Sequence, residues 1–339
     1  MPGRQKGSAP TWAVAGAALL LGVLLSLWLD SLRPPSRRAG AAPDRSGAGP
    51  ASPPERIVVL SPALAEIVFH MGAGSLVTAV PDFLTAPPQA LSLPRVGGSF
   101  NPAFERILEL RPDFLLFQGK SAKVRDFARR HGIPCPEPPL ELDTLEDLFQ
   151  AYRRIGVLLG RPVAAEEAAH RVRSALARVL EATLRSGPGP RVFLALGHRR
   201  GTLAGLYTAT DRTFLGELLR IAGGRNVFGS APGNWPQVSL ESLQARAPQV
   251  VLDFHPGESP DGRSLLEDWR RDLPGVPAVL MGRVYVLTQD FLLTPGPRAA
   301  RTAELLAELL REGGSASGRP EKEDAPRERR KEEGRGADR

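Results

Sequence analysis

The chain has 339 residues with 44 Lys and Arg against 37 Asp and Glu, giving a formal net charge of +7 at pH 7. The basic excess is scattered through the flanks and forms no stripe in the central region, which argues against a nucleic-acid partner. A single cysteine, Cys135, excludes any intramolecular disulfide, so the cellular compartment has to be read from the leader and not from thiol usage.

Trp12–Leu29 is apolar throughout, and at about 1.5 Å per helical residue it reaches roughly 27 Å, close to the hydrocarbon thickness of a bilayer. Arg4 and Lys6 precede it. The small-residue stretch Ala39-Gly40-Ala41 lies well past the apolar run and behind Pro34 and Pro35, a poor peptidase context. Residues 1–30 are therefore expected to be an uncleaved membrane anchor, the alternative being a cleaved signal peptide with a soluble exported product. Either exports the rest. Lipid attachment needs a cysteine just after the apolar run, and none is there.

Residues 31–55 are rich in Pro, Gly, Ala and Ser without apolar periodicity and read as a disordered linker. Residues 312–339 carry mixed charge and almost no large apolar side chain, which predicts a disordered tail.

Between these ends, strand and helix signals alternate. Arg56–Leu60 is a β-branched run, Ser61 offers an N-cap, Pro62 suits the first helical position, and ALAEIVFHMG ends on a glycine stop. Leu76–Val80, Phe114–Phe117, Val192–Leu196, Val250–Phe254 and Val284–Leu287 are further short apolar runs separated by helical segments. This pattern predicts α/β units around mostly parallel sheets.

An internal repeat organises the pattern. FERILELRPDFLLFQ from Phe104 aligns without a gap on LESLQARAPQVVLDF from Leu240, with Glu105 on Glu241, Ile107 on Leu243 and Pro112 on Pro248. Each copy reads as a capping residue (Asn101, Ser239), a short helix, a proline break and a buried strand. Two similar α/β lobes follow, at residues 56–160 and 188–311. Residues 161–187 hold no glycine or proline between Pro162 and Ser186 and predict one helix roughly 35 Å long, a stiff connection between the lobes.

The chain resembles the class III, or helical-backbone, substrate-binding proteins of ABC importers, which bind cobalamin, ferric siderophores, haem or metals. The resemblance rests on RIVVLSPALAEIVFHMGAG, PPQA, LPRVGG, NPAFERILELRPDFLLF, the long helix and NWPQVSLESLQARAPQVV, and covers about residues 55–311. It implies an interlobe cleft for cobalamin or another bulky metal chelate, with a ferric siderophore or haem as the alternative. It also implies a permease dimer with its ATPase subunits as partner, no resident cofactor and a monomeric receptor. A membrane-anchored sensor or scaffold that keeps the fold is the other alternative.

Within the family the cobalamin-binding members are most similar. Phe83, Tyr207 and Trp235 match aromatic cleft positions and Asp290 matches a cleft acid. Ser99 and Gln118 stand where the cobalamin binders have tryptophans, and Thr294 where they have an arginine. Phe100, beside Ser99, joins the candidate ligand set, and His198 and His255 enter it on their position in the chain. The same resemblance makes Glu105 and Glu241 a permease-docking pair, one per lobe; each also suits a helix N-terminus electrostatically.

His198 and His255 follow strands at the carboxyl end, where open α/β sheets place ligands, and Arg199 and Arg200 adjoin the first. The five histidines show no close metal-ligand spacing, so no metal site is expected. No GxSxG, GxxxxGK[ST], HExxH or CxxC motif occurs, and the chain is not expected to be an enzyme.

Overall fold

The computed structural model describes residues 52–257 and 262–311. The expected anchor and tail, and nearly all of the linker, lie outside them. Among the described residues no helix is long and apolar enough to cross a membrane.

Two parallel sheets form the core. In the N-terminal lobe the order is β2-β1-β3, from β1 (Ile57–Val59), β2 (Val77–Ala79) and β3 (Phe114–Leu116). In the C-terminal lobe it is β5-β4-β6-β7, from β4 (Arg191–Leu196), β5 (Arg225–Asn226), β6 (Val250–Phe254) and β7 (Val284–Leu287). β1, β3 and β6 are buried along their whole length, which is why they read as continuous apolar runs and not as alternations.

Helix α1 (Pro62–His70) starts as its sequence predicts, with Ser61 in extended conformation accepting from Leu64 N and Pro62 in the first turn. The repeat is visible in the backbone of α2 (Phe104–Glu109), which leads into β3, and of α7 (Leu240–Arg246), which leads into β6. Arg111 and Ala247, equivalent positions just before the repeated prolines, share a left-handed conformation with φ of 46° and 42°. These are the non-glycine residues at positive φ among the described residues, so an uncommon turn is built twice.

Side chains follow suit. Asp113 accepts from the backbone of Glu55 and Arg56 where β1 begins, and Gln249 accepts from Arg191 N where β4 begins. The caps differ. Ser239 accepts from Ser242 N, but α2 starts at Phe104 behind Ala103, with no side-chain cap, so Asn101 does not cap it. The bond from Ala103 N to Val96 O holds Asn101 and Pro102 inside a turn that precedes the helix.

Helix α3 (Ala122–Arg130) covers the outer face of the first sheet, and α4 (Leu145–Leu158) runs back to the connecting helix α5 (Pro162–Leu184). Its 23 residues span about 35 Å. Buried Ala165, Ala168, Ala169, Val172 and Leu176 pack α5 into a core shared by both lobes. Gly156 in α4 lies so close to Ala165 that no β-carbon fits between the helices. The other side of α5 meets α6 (Phe214–Ile221) and the C-terminal α10 (Ala299–Arg311). Helix α8 (Gly262–Asp272) and the short α9 (Pro277–Leu280) cover the second sheet.

Candidate functional site

Because all strands in each sheet run parallel, the loops at their carboxyl ends gather at one end of each lobe, where a doubly wound sheet presents ligand-binding residues. The predicted aromatic residues stand on these loops. Phe83 is 82% exposed and Phe100 is 99% exposed in the N-terminal lobe, and Tyr207 is 47% and Trp235 39% exposed in the C-terminal lobe. Four large rings left in water on the ligand-presenting loops cost hydration free energy that a bound apolar surface recovers.

The loops that carry them are tied down. Arg95 Nη1 donates to the carbonyls of Pro81, Asp82 and Leu84, and Asp82 Oδ1 accepts from Gly97 N, which holds Phe83 beside the turn of Phe100. Ser99 Oγ donates to Leu60 O, and Ser61 Oγ donates to Gln118 Oε1 at 2.6 Å, so the predicted Ser99 and Gln118 are both bound at the end of β1. In the other lobe Tyr207 pairs with Leu196 in both directions, and Thr208 and Thr210 bond the carbonyls of Pro236 and Asn234 on either side of Trp235. The Trp235 ring also lies 6.2 Å from that of Phe214. Rings fixed in this way lose little freedom on binding.

The other predicted residues also follow strand ends, those of β4, β6 and β7, but are engaged with side chains of the fold. Asp290 Oδ1 accepts from Arg298 Nη1 at 3.1 Å, and Arg298 in turn holds Glu66 of the N-terminal lobe. Burial pushes the Glu66 carboxyl above its usual range despite the Arg298 guanidinium beside it. A cavity of about 580 Å³ lined by Glu66, Phe69, His70, Gln89, Leu93 and Arg298 lies beside this pair and contains none of the predicted ligand residues.

His198 and His255 are buried within the C-terminal lobe, where His198 Nδ1 is 2.7 Å from Asp253 Oδ2 and His255 Nε2 is 3.1 Å from Asp253 Oδ1. Trp269 Nε1 donates to the same carboxylate. Burial raises the Asp253 carboxyl, but the bonds from His198, His255 and Trp269 outweigh it and hold the group below the usual range. Asp253, Asp268 and Trp269 were not legible as a set, since 55 residues separate His198 from Asp253. The Asp-x-His spacing of Asp253 and His255 at the end of an apolar strand was the one available signal.

Glu105 and Glu241 occupy the exposed first turns of α2 and α7. Glu241 bonds its own backbone N–H and Ser239, which keeps its carboxyl below the usual range.

The family model described as periplasmic binding protein matches residues 57–291, most of the chain. The chain belongs to this family. The vitamin B12-binding protein of Pectobacterium carotovorum is 26% identical over 262 residues, 76% of this chain and 88% of that protein. The crystal structure of the periplasmic vitamin B12-binding protein of Vibrio cholerae superposes with a TM-score of 0.62 at 26% identity, covering 76% of this chain and 97% of that one. A periplasmic haem-binding protein from Pseudomonas aeruginosa gives a TM-score of 0.64 at 27% identity, covering 76% and 92%. The two-lobed α/β architecture read from the repeat is that of these periplasmic binding proteins.

Proposed function

We propose that this periplasmic binding protein is the extracytoplasmic receptor of an ABC importer and takes cobalamin, or a related flat metal chelate, between its lobes. The observation that carries the reading is the placement of Phe83 and Phe100 on one lobe and Tyr207 and Trp235 on the other, all exposed at the carboxyl ends of the sheets. A planar macrocycle buries its faces against such rings and needs few point charges. Similarity to vitamin B12-binding proteins over three quarters of the chain supports the corrin over other chelates. The structure of the haem-binding protein keeps the porphyrin as the second reading.

The receptor works without catalysis. Ligand closes the lobes modestly about α5, and Glu105 and Glu241, at equivalent places on the two lobes, dock as a pair onto basic residues of a permease dimer. The apolar segment Trp12–Leu29 tethers the receptor to the outer face of the membrane, and the receptor acts as a monomer.

Titration of the purified chain with cyanocobalamin, followed by calorimetry and by tryptophan fluorescence compared with that of Trp235→Phe, tests the assignment. One equivalent is expected to bind with micromolar or tighter affinity, roughly 8 kcal/mol. Absence of corrin binding alongside stoichiometric haem binding transfers the assignment to the porphyrin; binding of neither overturns it.

A further inference from the structure

We propose that His198, Asp253 and His255 form a binding site for one divalent transition-metal ion of the zinc class, built into the C-terminal lobe beneath the loop that carries Tyr207. Strands β4 and β6 are neighbours in register, with Ala195 opposite Asp253 and Leu196 opposite Phe254. Running past that register by two residues on one strand and one on the other brings His198 and His255 to the same sheet end as Asp253. The Asp-x-His spacing of Asp253 and His255 covers only part of the set; the parallel pairing completes it.

The donor atoms lie within 4.8 Å of one another, and all three residues are buried. Each oxygen of Asp253 faces a ring nitrogen, at 2.7 Å for His198 Nδ1 and 3.1 Å for His255 Nε2. Zinc bonds of about 2.0–2.1 Å set neighbouring tetrahedral donors about 3.3 Å apart, so side-chain adjustments on the order of an ångström bring the three donors around one ion. Two imidazoles and a carboxylate suit zinc and its neighbours in the transition series.

The surrounding shell orients these donors as metal ligands are oriented. His198 Nε2 lies 3.3 Å from Asp268 Oδ2, which Gly201 N also reaches, while Arg271 holds the other oxygen of Asp268. Asp268 on Nε2 orients the His198 ring so that Nδ1 faces Asp253, whose Oδ2 is also held by Trp269 Nε1. Without an ion, protons on the ring nitrogens bond the Asp253 carboxylate; an ion entering the cluster displaces them, since histidine ligates metals as the neutral ring. His255, on the other oxygen of Asp253, completes a set of three donors. Gly197, adjoining His198, lies against the Tyr207 ring, so an ion there braces the floor of the aromatic cleft.

The test uses the chain freed of metal by a chelator, with Zn²⁺ titrated against a chromophoric competitor and Co²⁺ followed by its visible absorption. One equivalent of zinc is expected at submicromolar affinity, with a rise in melting temperature and a four-coordinate cobalt spectrum that zinc abolishes. His255→Gln, at the periphery of the cluster, is expected to weaken zinc at least a hundredfold while the metal-free protein still melts cooperatively; Asp253→Asn is expected to do the same. Failure of the wild-type chain to take up zinc or cobalt at micromolar free metal overturns the site and leaves the proton in that place. Uptake undiminished in a folded His255→Gln variant overturns it as well, because the ion then binds elsewhere. Cyanocobalamin titration of the metal-free protein reads the cleft independently of either result.

Discussion

Arg298 and Glu66, 232 residues apart, form a two-pronged ion pair between the lobes: Nη2 lies 2.6 Å from Oε1 and Nε 3.0 Å from Oε2. The third arm of the guanidinium holds Asp290. Glu66 stands in the middle of α1, and Arg298 immediately precedes α10, which packs on the connecting helix. The pair thus adds a charged link to the shared apolar core. Removing one partner of such a pair strands the other, a loss of about 3–5 kcal/mol when fully buried. Arg298 keeps 21% of its side chain in water, so Arg298→Ala is expected to cost less, about 2–3 kcal/mol in urea unfolding. A cost near zero means that the two lobes are held by their shared core alone.

A second interlobe contact makes a prediction about pH. Glu217 Oε2 of α6 accepts from Leu145 N, the first residue of α4, at 2.7 Å. Burial raises its carboxyl, partly offset by that bond and by Arg220. A carboxyl that binds its proton more tightly when folded contributes stability that is fully present below its unfolded pKa of about 4.3 and is lost as pH rises through the folded value. The stability of wild type minus that of Glu217→Gln is therefore expected to increase as pH falls from 7 towards 4. Chemical denaturation of both proteins at several pH values measures it, and a difference that shrinks on acidification contradicts the assigned direction.

The exposed rings separate binding from folding. Phe83→Ala removes a side chain that is 82% exposed and is expected to leave stability within about 0.5 kcal/mol. Trp235→Ala also loses its contact with Phe214. Each change is expected to weaken corrin binding at least about tenfold, 1.4 kcal/mol. If Trp235→Ala instead collapses the melting transition while the folded fraction binds normally, that ring serves the core.

Docking is tested by the two repeat-equivalent acids. Glu105→Ala and Glu241→Ala are expected to leave ligand affinity unchanged and to lower uptake in vesicles containing the cognate permease, the double variant far more than either single one. Uptake is also expected to fall with rising salt, since exposed charges are screened within about 8–10 Å at ordinary ionic strength. Normal transport by the double variant reduces both acids to helix-end residues.

What the sequence determined by itself is local or repeated. Ser61 and Pro62 announce α1 because capping involves atoms three residues apart. The buried strands show as short apolar runs, and the repeat predicts two lobes because matching segments meet the same packing demands, down to the shared turn at Arg111 and Ala247. The exposed aromatic positions came from the family resemblance, and their exposure is seen only in the fold. Tertiary structure alone decided the pairing of Glu66 with Arg298, the seat of Glu217 on the start of α4, and the burial of His198 and His255 around Asp253. Each depends on which strands and helices become neighbours. A histidine after a strand reads the same whether its ring turns out to the cleft or in to an aspartate, and the pairing of β4 with β6 makes that choice.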